Sequence, residues 1–498
     1  MNKPAVKILF VASEAEPFAR AGGLGSVMYS LPAAMNEIGY DARVMIPRYL
    51  TIDEKIHGIV MEKEGIQVPT GNSKGDEYLL CNVKKYIGGT SVAQPTTTYF
   101  LENEEYYEKR ANIYGYTDDP IRWALLSRGV LEFLKVSEWV PDLIICADWQ
   151  TGYLPNFLKV YYREDPILSG IRTIFSIHNL SYQGSFNHRF IQPNETDTGE
   201  SRIPGFDDPK LAKINGMKRG IIYADLINTV SPTYAKEIMT PEFGEGLEEL
   251  LQKRKSGVYG IINGIDYDLW NPEADDLIKH HFSHKKLDVR GKNKEFLQKK
   301  FKLPNDPETF LVSLVSRMST QKGFDLIEPV IRSLLRELRM QLVVVGEGDT
   351  TYMKLFQDLQ KEFPEQVAAN LKFDQVMPHM IFAGADALLV PSRYEPSGLT
   401  QMEAMHFGTI PIVRKTGGLA DTVTDFSPQN ESSTGFIFEK IDSFSMTIAI
   451  VRAYENFQNK LTWQELQKRA MQQDFSWQNS AKQYEKIIHK AERVDPEI

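Results

Sequence analysis

Between Ala387 and Val423 the sequence writes one pattern twice: a short apolar run, a glycine-bearing loop, then a helical segment. Ala387 to Val390 is apolar and too short for a helix, and Pro391 and Ser392 end it, which predicts a buried strand. Glu395 follows in a turn with Pro396 and Gly398. Thr400 is placed as the N-cap of a helix carrying Met402, Ala404 and Met405, and Gly408 closes that helix. Ile410 to Val413 is the next strand, and Gly417 and Gly418 open another helix. Two loops therefore leave the carboxyl ends of neighbouring strands, each at a helix N-terminus. In an open parallel sheet that edge binds ligands, and helix N-termini favour phosphate.

The start of the chain has the same construction. Val6 to Ala12 is a buried-type strand, followed by a loop containing Gly22, Gly23 and Gly25. A helix then carries Val27, Leu31 and Met35 at helical spacing, and Asp41 to Ile46 is a second strand. As a glycine motif alone this loop reads more readily as a tight turn than as a phosphate or sugar site. Asp142 to Ala147 and Thr173 to Ile177 are further strands; the first ends at Asp148-Trp149-Gln150, the second at His178-Asn179. Polar and aromatic residues at successive strand ends mark one working edge. Tyr49 to Ser91 reads as a mixed, insertion-like loop region. Tyr106 to Tyr116 is rich in aromatic and polar side chains that suit either sugar stacking or a solvated loop. Ile221 to Asn228 reads as a strand before Thr229-Val-Ser-Pro232 starts a helix.

At 498 residues the chain exceeds what one core supports, so two domains are expected, each of roughly 200–250 residues. Val258 to Pro272 is the hinge candidate. The expected divisions are 1–262, 263–475 and a C-terminal helical stretch, 476–498, packing back on the first lobe. Within the hinge, Asp266 and Asp268 suit a turn better than a metal, since no further ligands accompany them. The second lobe restarts with Thr309 to Ser316. Arg317 and Lys322 lie just beyond it, and two cations in a strand-end loop suit a diphosphate. Leu342 to Val345 is the next strand. Lys372-Phe373 ends another, placing the Phe373 ring where it can stack on a base. Ser443 to Asn456, Trp463 to Gln473 and Gln478 to Ala491 are helical. The expected fold class is α/β: two Rossmann-like doubly wound lobes facing across a cleft.

Composition narrows the partners. The net charge is 57 − 66 = −9, which argues against nucleic acid or an anionic membrane as the main ligand. The basic run Lys253-Arg-Lys255 reads as a solvated helix face. Cys81 and Cys146 are the only cysteines, which points to a reducing compartment without disulfides. No apolar run reaches the ~18–20 residues of a membrane span. The short apolar core Ile8 to Ala12 runs straight into the glycine loop, so it reads as a first strand and not as a signal peptide. A cytoplasmic protein is expected.

Eight motifs in one order now bear on family: Gly22-Gly-Leu24, His178-Asn-Leu-Ser-Tyr-Gln-Gly184, Thr229-Val-Ser-Pro-Thr-Tyr-Ala235, Pro241-Glu-Phe-Gly244, Asn263-Gly-Ile-Asp-Tyr-Asp-Leu-Trp-Asn-Pro272, Ser316-Arg-Met-Ser-Thr-Gln-Lys-Gly323, Glu395-Pro-Ser-Gly-Leu-Thr-Gln401 and Lys415-Thr-Gly-Gly-Leu-Ala-Asp-Thr-Val423. Through them the chain resembles the bacterial glycogen synthase and starch synthase family from Lys7 to about Lys482. The resemblance implies a B-type glycosyltransferase. Such an enzyme moves glucose from ADP-glucose, or UDP-glucose, to the 4-hydroxyl at the non-reducing end of an α-1,4-glucan, with retention and without a metal or other cofactor. It implies that Arg317 and Lys322 neutralise the leaving diphosphate and that Glu395 serves the reaction centre beside Pro396 and Gly398. Leu399 and Thr400 then offer backbone amides to phosphate, Phe373 meets the base and Glu403 the ribose. Gly22 and Gly23 approach the phosphates, with His178 and Asn263 also in the donor site.

Three positions depart from the family pattern. Its lysine before the first glycine pair is Arg20, its aspartate after that loop is Ser26, and its Asp-Trp-His reads Asp148-Trp149-Gln150. Arg20 keeps the charge in a different shape. Gln150, in the place of a catalytic-site histidine, keeps hydrogen bonding but cannot become cationic. These departures leave open a second reading, a non-catalytic glucan- or nucleotide-sugar-binding protein of the same fold, and a third, a related transferase with another donor or acceptor.

Overall fold

Short apolar runs separated by helices can bury both faces only in a parallel sheet covered on two sides. The computed structural model, which describes residues 5–87, 96–184 and 196–494, has two such sheets in two units. The first unit comprises Met1–Val230, Ala235–Ile261 and Trp477–Ile498, and the second Ser231–Tyr234 and Ile262–Ser476.

The strands of the first unit are β1 (Lys7–Val11), β2 (Asp41–Pro47), β3 (Val60–Pro69), β4 (Tyr78–Tyr86), β5 (Thr98–Glu102), β6 (Leu143–Ala147), β7 (Arg172–Ile177), β8 (Leu226–Thr229) and β9 (Val258–Gly260). Their order in the sheet is β3-β4-β5-β2-β1-β6-β7-β8-β9. From β5 to β9 all pairs are parallel, while β3–β4 and β4–β5 are antiparallel. The order reverses between β1 and β6, which makes that crevice the switch point where a doubly wound sheet takes its ligand. The helix Gly23–Glu37 buries Val27, Leu31 and Met35. The C-terminal helix Trp477–Ala491 buries Trp477, Ala481, Tyr484 and Ile488, and Tyr484 meets Asn228 of β8 at 2.9 Å.

In the second unit the strands are β10 (Phe310–Val315), β11 (Met340–Val345), β12 (Val367–Asn370), β13 (Ala387–Val390), β14 (Ile410–Arg414) and β15 (Phe436–Phe438). They lie in the order β12-β11-β10-β13-β14-β15, all parallel. Numbered within the unit this is 3-2-1-4-5-6, the dinucleotide-binding order, and its switch point lies between β10 and β13. Two apolar layers sandwich the sheet, one containing Phe310, Leu342, Met402 and Ile450, the other Leu311, Val343, Ile381 and Leu388.

Four local expectations are corrected. Tyr49 to Ser91 is not a loop insertion. Its described part holds β3 and β4, an antiparallel pair extending the sheet edge, while residues 88–91 lie outside the described residues. Ile221 lies in the last turn of a helix, Gly216–Tyr223, whose N-cap Asn215 accepts from Lys218 N–H; the strand begins only at Leu226. Thr400 is not an N-cap but the first helical residue of Thr400–His406, with Leu399 at the cap position and no side-chain cap bond. Gln401 stitches that turn instead, donating its amide to the Gly398 carbonyl at 2.7 Å and to the Thr422 hydroxyl at 3.0 Å. Phe373 lies beyond β12, in a loop, and is 67% exposed. Asp266 forms an Asx turn, accepting from the Asp268 and Leu269 amides.

Candidate active site

Each sheet presents its ligand-binding edge with acidic groups at the switch point. In the second unit the edge is built by loops pressed together at glycines. Gly323 has φ +70°, and a Cβ there would lie 2.0 Å from the Pro391 carbonyl oxygen. This seats the Lys322 turn, which follows β10, directly against the end of β13. The Lys322 ammonium then lies 2.5 Å from Glu395 Oε2. The Ser392 hydroxyl donates to the same oxygen at 2.9 Å. Glu395 and Ser392 are buried. Gly418 donates its amide to the Glu395 carbonyl at 3.0 Å, and a Cβ on Gly418 would fall 1.8 Å from the Ser397 carbonyl oxygen. The loop after β14 thus backs the Glu395 turn without room for a side chain. Gly418→Ala is expected to displace that turn and lower kcat by at least about tenfold, since small misplacements of reacting groups cost up to about 10²-fold; steady-state kinetics alongside a melting curve check it.

Arg317 is exposed at the start of the Lys322 loop. Leu399, Thr400 and Glu403 share the helical turn after Gly398 and are half-buried, and Pro396 is buried beside Glu395. Asn263 and Ser397 are buried, and Asn263 Oδ1 and Ser397 Oγ have no hydrogen-bond partner among the described residues. Unpaired polar atoms of this kind are costly unless a ligand or water satisfies them.

The first unit has a comparable arrangement at the ends of β1, β6 and β7. Glu14 follows β1, and its carboxylate accepts the backbone N–H groups of Ala21 and Gly22, the latter at 3.0 Å. Burial pushes its pKa up, against the pull of those amides. Gly22 and Gly23 are therefore held at the mouth of their loop by a buried acid, and a Cβ on Gly23 would meet nothing within 4 Å. Arg20 is half exposed and paired with Glu16. Asp148, which directly follows β6, sits at φ +57° and accepts from the His178 amide at 2.7 Å and the Asn179 amide at 3.4 Å. Burial nonetheless pushes its carboxyl up to about 7. The same desolvation pushes His178 down to about 4, so its ring is neutral near pH 7 and lies 3.1 Å from the Ser176 hydroxyl. Gln150 is buried and its Oε1 has no partner among the described residues.

Asp148 carries a testable consequence for stability. Its folded pKa, about 7, lies above the ordinary aspartate value of ~3.9. The folded state therefore binds more protons across that interval, and stability falls as pH rises from about 4 to about 7. Asparagine keeps the carbonyl that accepts both amides and tolerates positive φ. Asp148→Asn is expected to raise the melting temperature at pH 8 by about 3 °C, corresponding to roughly 1–3 kcal/mol, and to change it little at pH 4. An equal shift at both pH values would refute this assignment.

The structure thus brings Lys322 and Glu395 into contact and joins His178 to the Asp148 turn. Sequence reading overlooked Glu14 and Ser392. The available signal for Glu14 was an acid three residues after a buried strand and eight residues before Gly22; for Ser392, a hydroxyl three residues before Glu395.

Comparison with known proteins accords with this geometry. Residues 7–253 match the family described as Starch synthase catalytic domain, and residues 293–467 match Glycosyl transferases group 1. With two doubly wound sheets and a lysine–carboxylate pair at a switch point, these define a glycosyltransferase of the B-type fold. A sucrose-phosphate synthase structure from Thermosynechococcus elongatus shares that fold, with a TM-score of 0.60 at 17% identity over 97% of this chain and 98% of its own. Nearer likenesses are more specific. The chain is 39% identical to the glycogen synthase of Geotalea daltonii, over 97% of this chain and 98% of that one. It is 40% identical to that of Clostridium perfringens, with the same coverage. The catalytic domain of starch synthase IV from Arabidopsis thaliana, bound to ADP and acarbose, superposes with a TM-score of 0.84 at 30% identity, over 98% of this chain and 99% of that one. The chain belongs to the glycogen and starch synthase family. Among the described residues no helix is long and apolar enough to cross a membrane.

Proposed function

We propose that the protein transfers glucose from ADP-glucose to the 4-hydroxyl at the non-reducing end of an α-1,4-glucan, with retention of configuration, in the cytoplasm. The observation that carries this reading is the Lys322–Glu395 contact, 2.5 Å, at the switch point of a sheet with dinucleotide-binding order. The ADP held by the Arabidopsis relative supports an adenine donor over UDP-glucose.

The chemical problem is to break the bond between C1 of glucose and a phosphate oxygen while negative charge grows on the diphosphate. Arg317 and Lys322 supply positive charge there, aided by the Leu399 and Thr400 amides after Gly398; such pre-placed groups act before any reorganisation. These cations are sufficient for a reaction that needs no metal. Glu395 stabilises positive charge developing at C1. The acceptor 4-hydroxyl attacks from the face that the diphosphate leaves, forming the new C1–O bond and passing its proton to the departing phosphate oxygen. Phe373, exposed, stacks on the base, and Glu403 takes the ribose. His178, neutral, and Gln150, with an unsatisfied carbonyl, suit sugar hydroxyls, while Gly22 and Gly23 allow close approach of a ligand to the Arg20 loop.

The test is incubation with ADP-glucose or UDP-glucose and a glycogen primer, following nucleotide release and chain growth. Growth with ADP-glucose in preference is expected. Growth only with UDP-glucose would reassign the donor, and binding without turnover from either would leave a non-catalytic binding protein.

A further inference from the structure

Among the described residues, both side-chain donors to Glu395 converge on one oxygen. Lys322 Nζ lies 2.5 Å from Oε2 and Ser392 Oγ 2.9 Å from the same atom; neither uses Oε1. A carboxylate held by one flexible lysine can exchange its oxygens by rotation, because its terminal torsion is broad and two-fold. A hydroxyl fixed on the backbone three residues away breaks that symmetry.

Ser392 is itself fixed. It is fully buried, and its carbonyl oxygen accepts from Arg414 Nε at 2.7 Å. Arg414 Nη2 donates to the next carbonyl, that of Arg393. Arg414 is buried at the end of β14, where the register pairs Val413 with Val390, the last residue of β13. One guanidinium thus clasps two consecutive carbonyls of the turn leading to Glu395. On the other side the Arg393 side chain is bound to Asp325. A planar fork of donors meets such a pair of acceptors as a lysine cannot.

We propose that Ser392 and Arg414 are positioning residues for transfer: Arg414 fixes the backbone of the turn, the Ser392 hydroxyl selects Oε2, and Oε1 is thereby the oxygen turned to the anomeric centre. The proposal rests on the glucosyl-transfer reading above. It assigns these residues to the orientation of Glu395 and not to donor binding, so their loss falls on kcat.

The experiment compares wild type, Ser392→Ala and Arg414→Lys with ADP-glucose and glycogen, recording kcat, KM for the donor and the melting temperature. Ser392→Ala removes one buried oxygen. It is expected to lower kcat by about 10- to 100-fold, the range for losing a group that orients a reacting one. KM should stay within about twofold. Arg414→Lys keeps the charge but not the fork, and is expected to lower kcat in the same sense with KM again held. A kcat for Ser392→Ala within twofold of wild type would overturn the proposal, as would a rise in KM matching the fall in kcat. Should Ser392→Ala unfold, Arg414→Lys alone decides on the same two constants. Active wild type with an unaffected Ser392→Ala refutes only the positioning role, whereas inactive wild type with either donor refutes the functional reading and this proposal together.

Discussion

Glu395→Ala is expected to lower kcat by about 10³-fold while the protein stays folded. The carboxylate is a negative charge held next to Lys322 at the crevice between β10 and β13, placed to face a transition state gathering positive charge at C1. Removing a single electrostatic stabiliser from a reaction centre costs ~2.7–4 kcal/mol, or about 10²–10³-fold. Glu395 also fixes Lys322, so its loss reaches the upper end. The fold should survive because the turn is held by backbone: Gly418 bonds the Glu395 carbonyl, and Arg414 bonds those of Ser392 and Arg393. The Lys322 side chain is 19% exposed, so its freed ammonium keeps access to water, and about 1–2 kcal/mol of stability is the expected loss, between exposed and buried pairs. Glu395→Gln keeps the shape and should lose comparable activity, since charge is what matters. Unchanged turnover in either variant would sink the assigned role.

The fold was legible because its signals are local. Apolar strands ending in Pro391 or in the glycine loop, and helices spaced by Val27, Leu31 and Met35, need no knowledge of distant contacts. Where the reading failed, tertiary context decided. The β3–β4 hairpin has exposed positions throughout most of β3, so no apolar alternation announces it. Ile221 to Asn228 is mostly apolar but passes from helix to strand around Ala224 and Asp225, and a short apolar run cannot by its periodicity show that change. Thr400 has the chemistry of a cap, yet the αL geometry of Gly398, φ +67°, and the Gln401 amide occupy the turn first.

The site shows the same division. Glu395, Arg317 and Lys322 stand out as charges in strand-end loops. Glu14, Asp148 and Ser392 do not, because their roles come from burial and from partners distant in sequence: Glu14 holds the Gly22 amide, and Asp148 holds that of His178 thirty residues on. Gly323 and Gly418 were visible as glycines, but the carbonyls pressed against them, Pro391 and Ser397, were not.

Lys322→Met is expected to lower kcat/KM by about 10²–10³-fold with ADP-glucose, the range for one lost stabiliser of a developing anion. Methionine is similar in length and apolar, so the change removes charge with little loss of volume. The effect should not multiply with that of Glu395→Ala. The two groups touch at 2.5 Å, and contacting residues couple by about 0.5–3 kcal/mol. Without Glu395 the ammonium is no longer held, and part of its benefit has already gone. Without Lys322 the carboxylate keeps, among the described residues, only Ser392 as donor to Oε2 and is freer to turn. The double variant should therefore lose at least about threefold less than the product of the single losses. A strictly multiplicative loss would mean that Lys322 meets the diphosphate independently of Glu395, and that their contact is incidental to transfer. Lys322→Arg separates charge from fit: it retains the cation, but the bulkier planar head does not reach Oε2 along the same path. Partial recovery of kcat/KM is expected from it, with kcat recovering less than donor affinity.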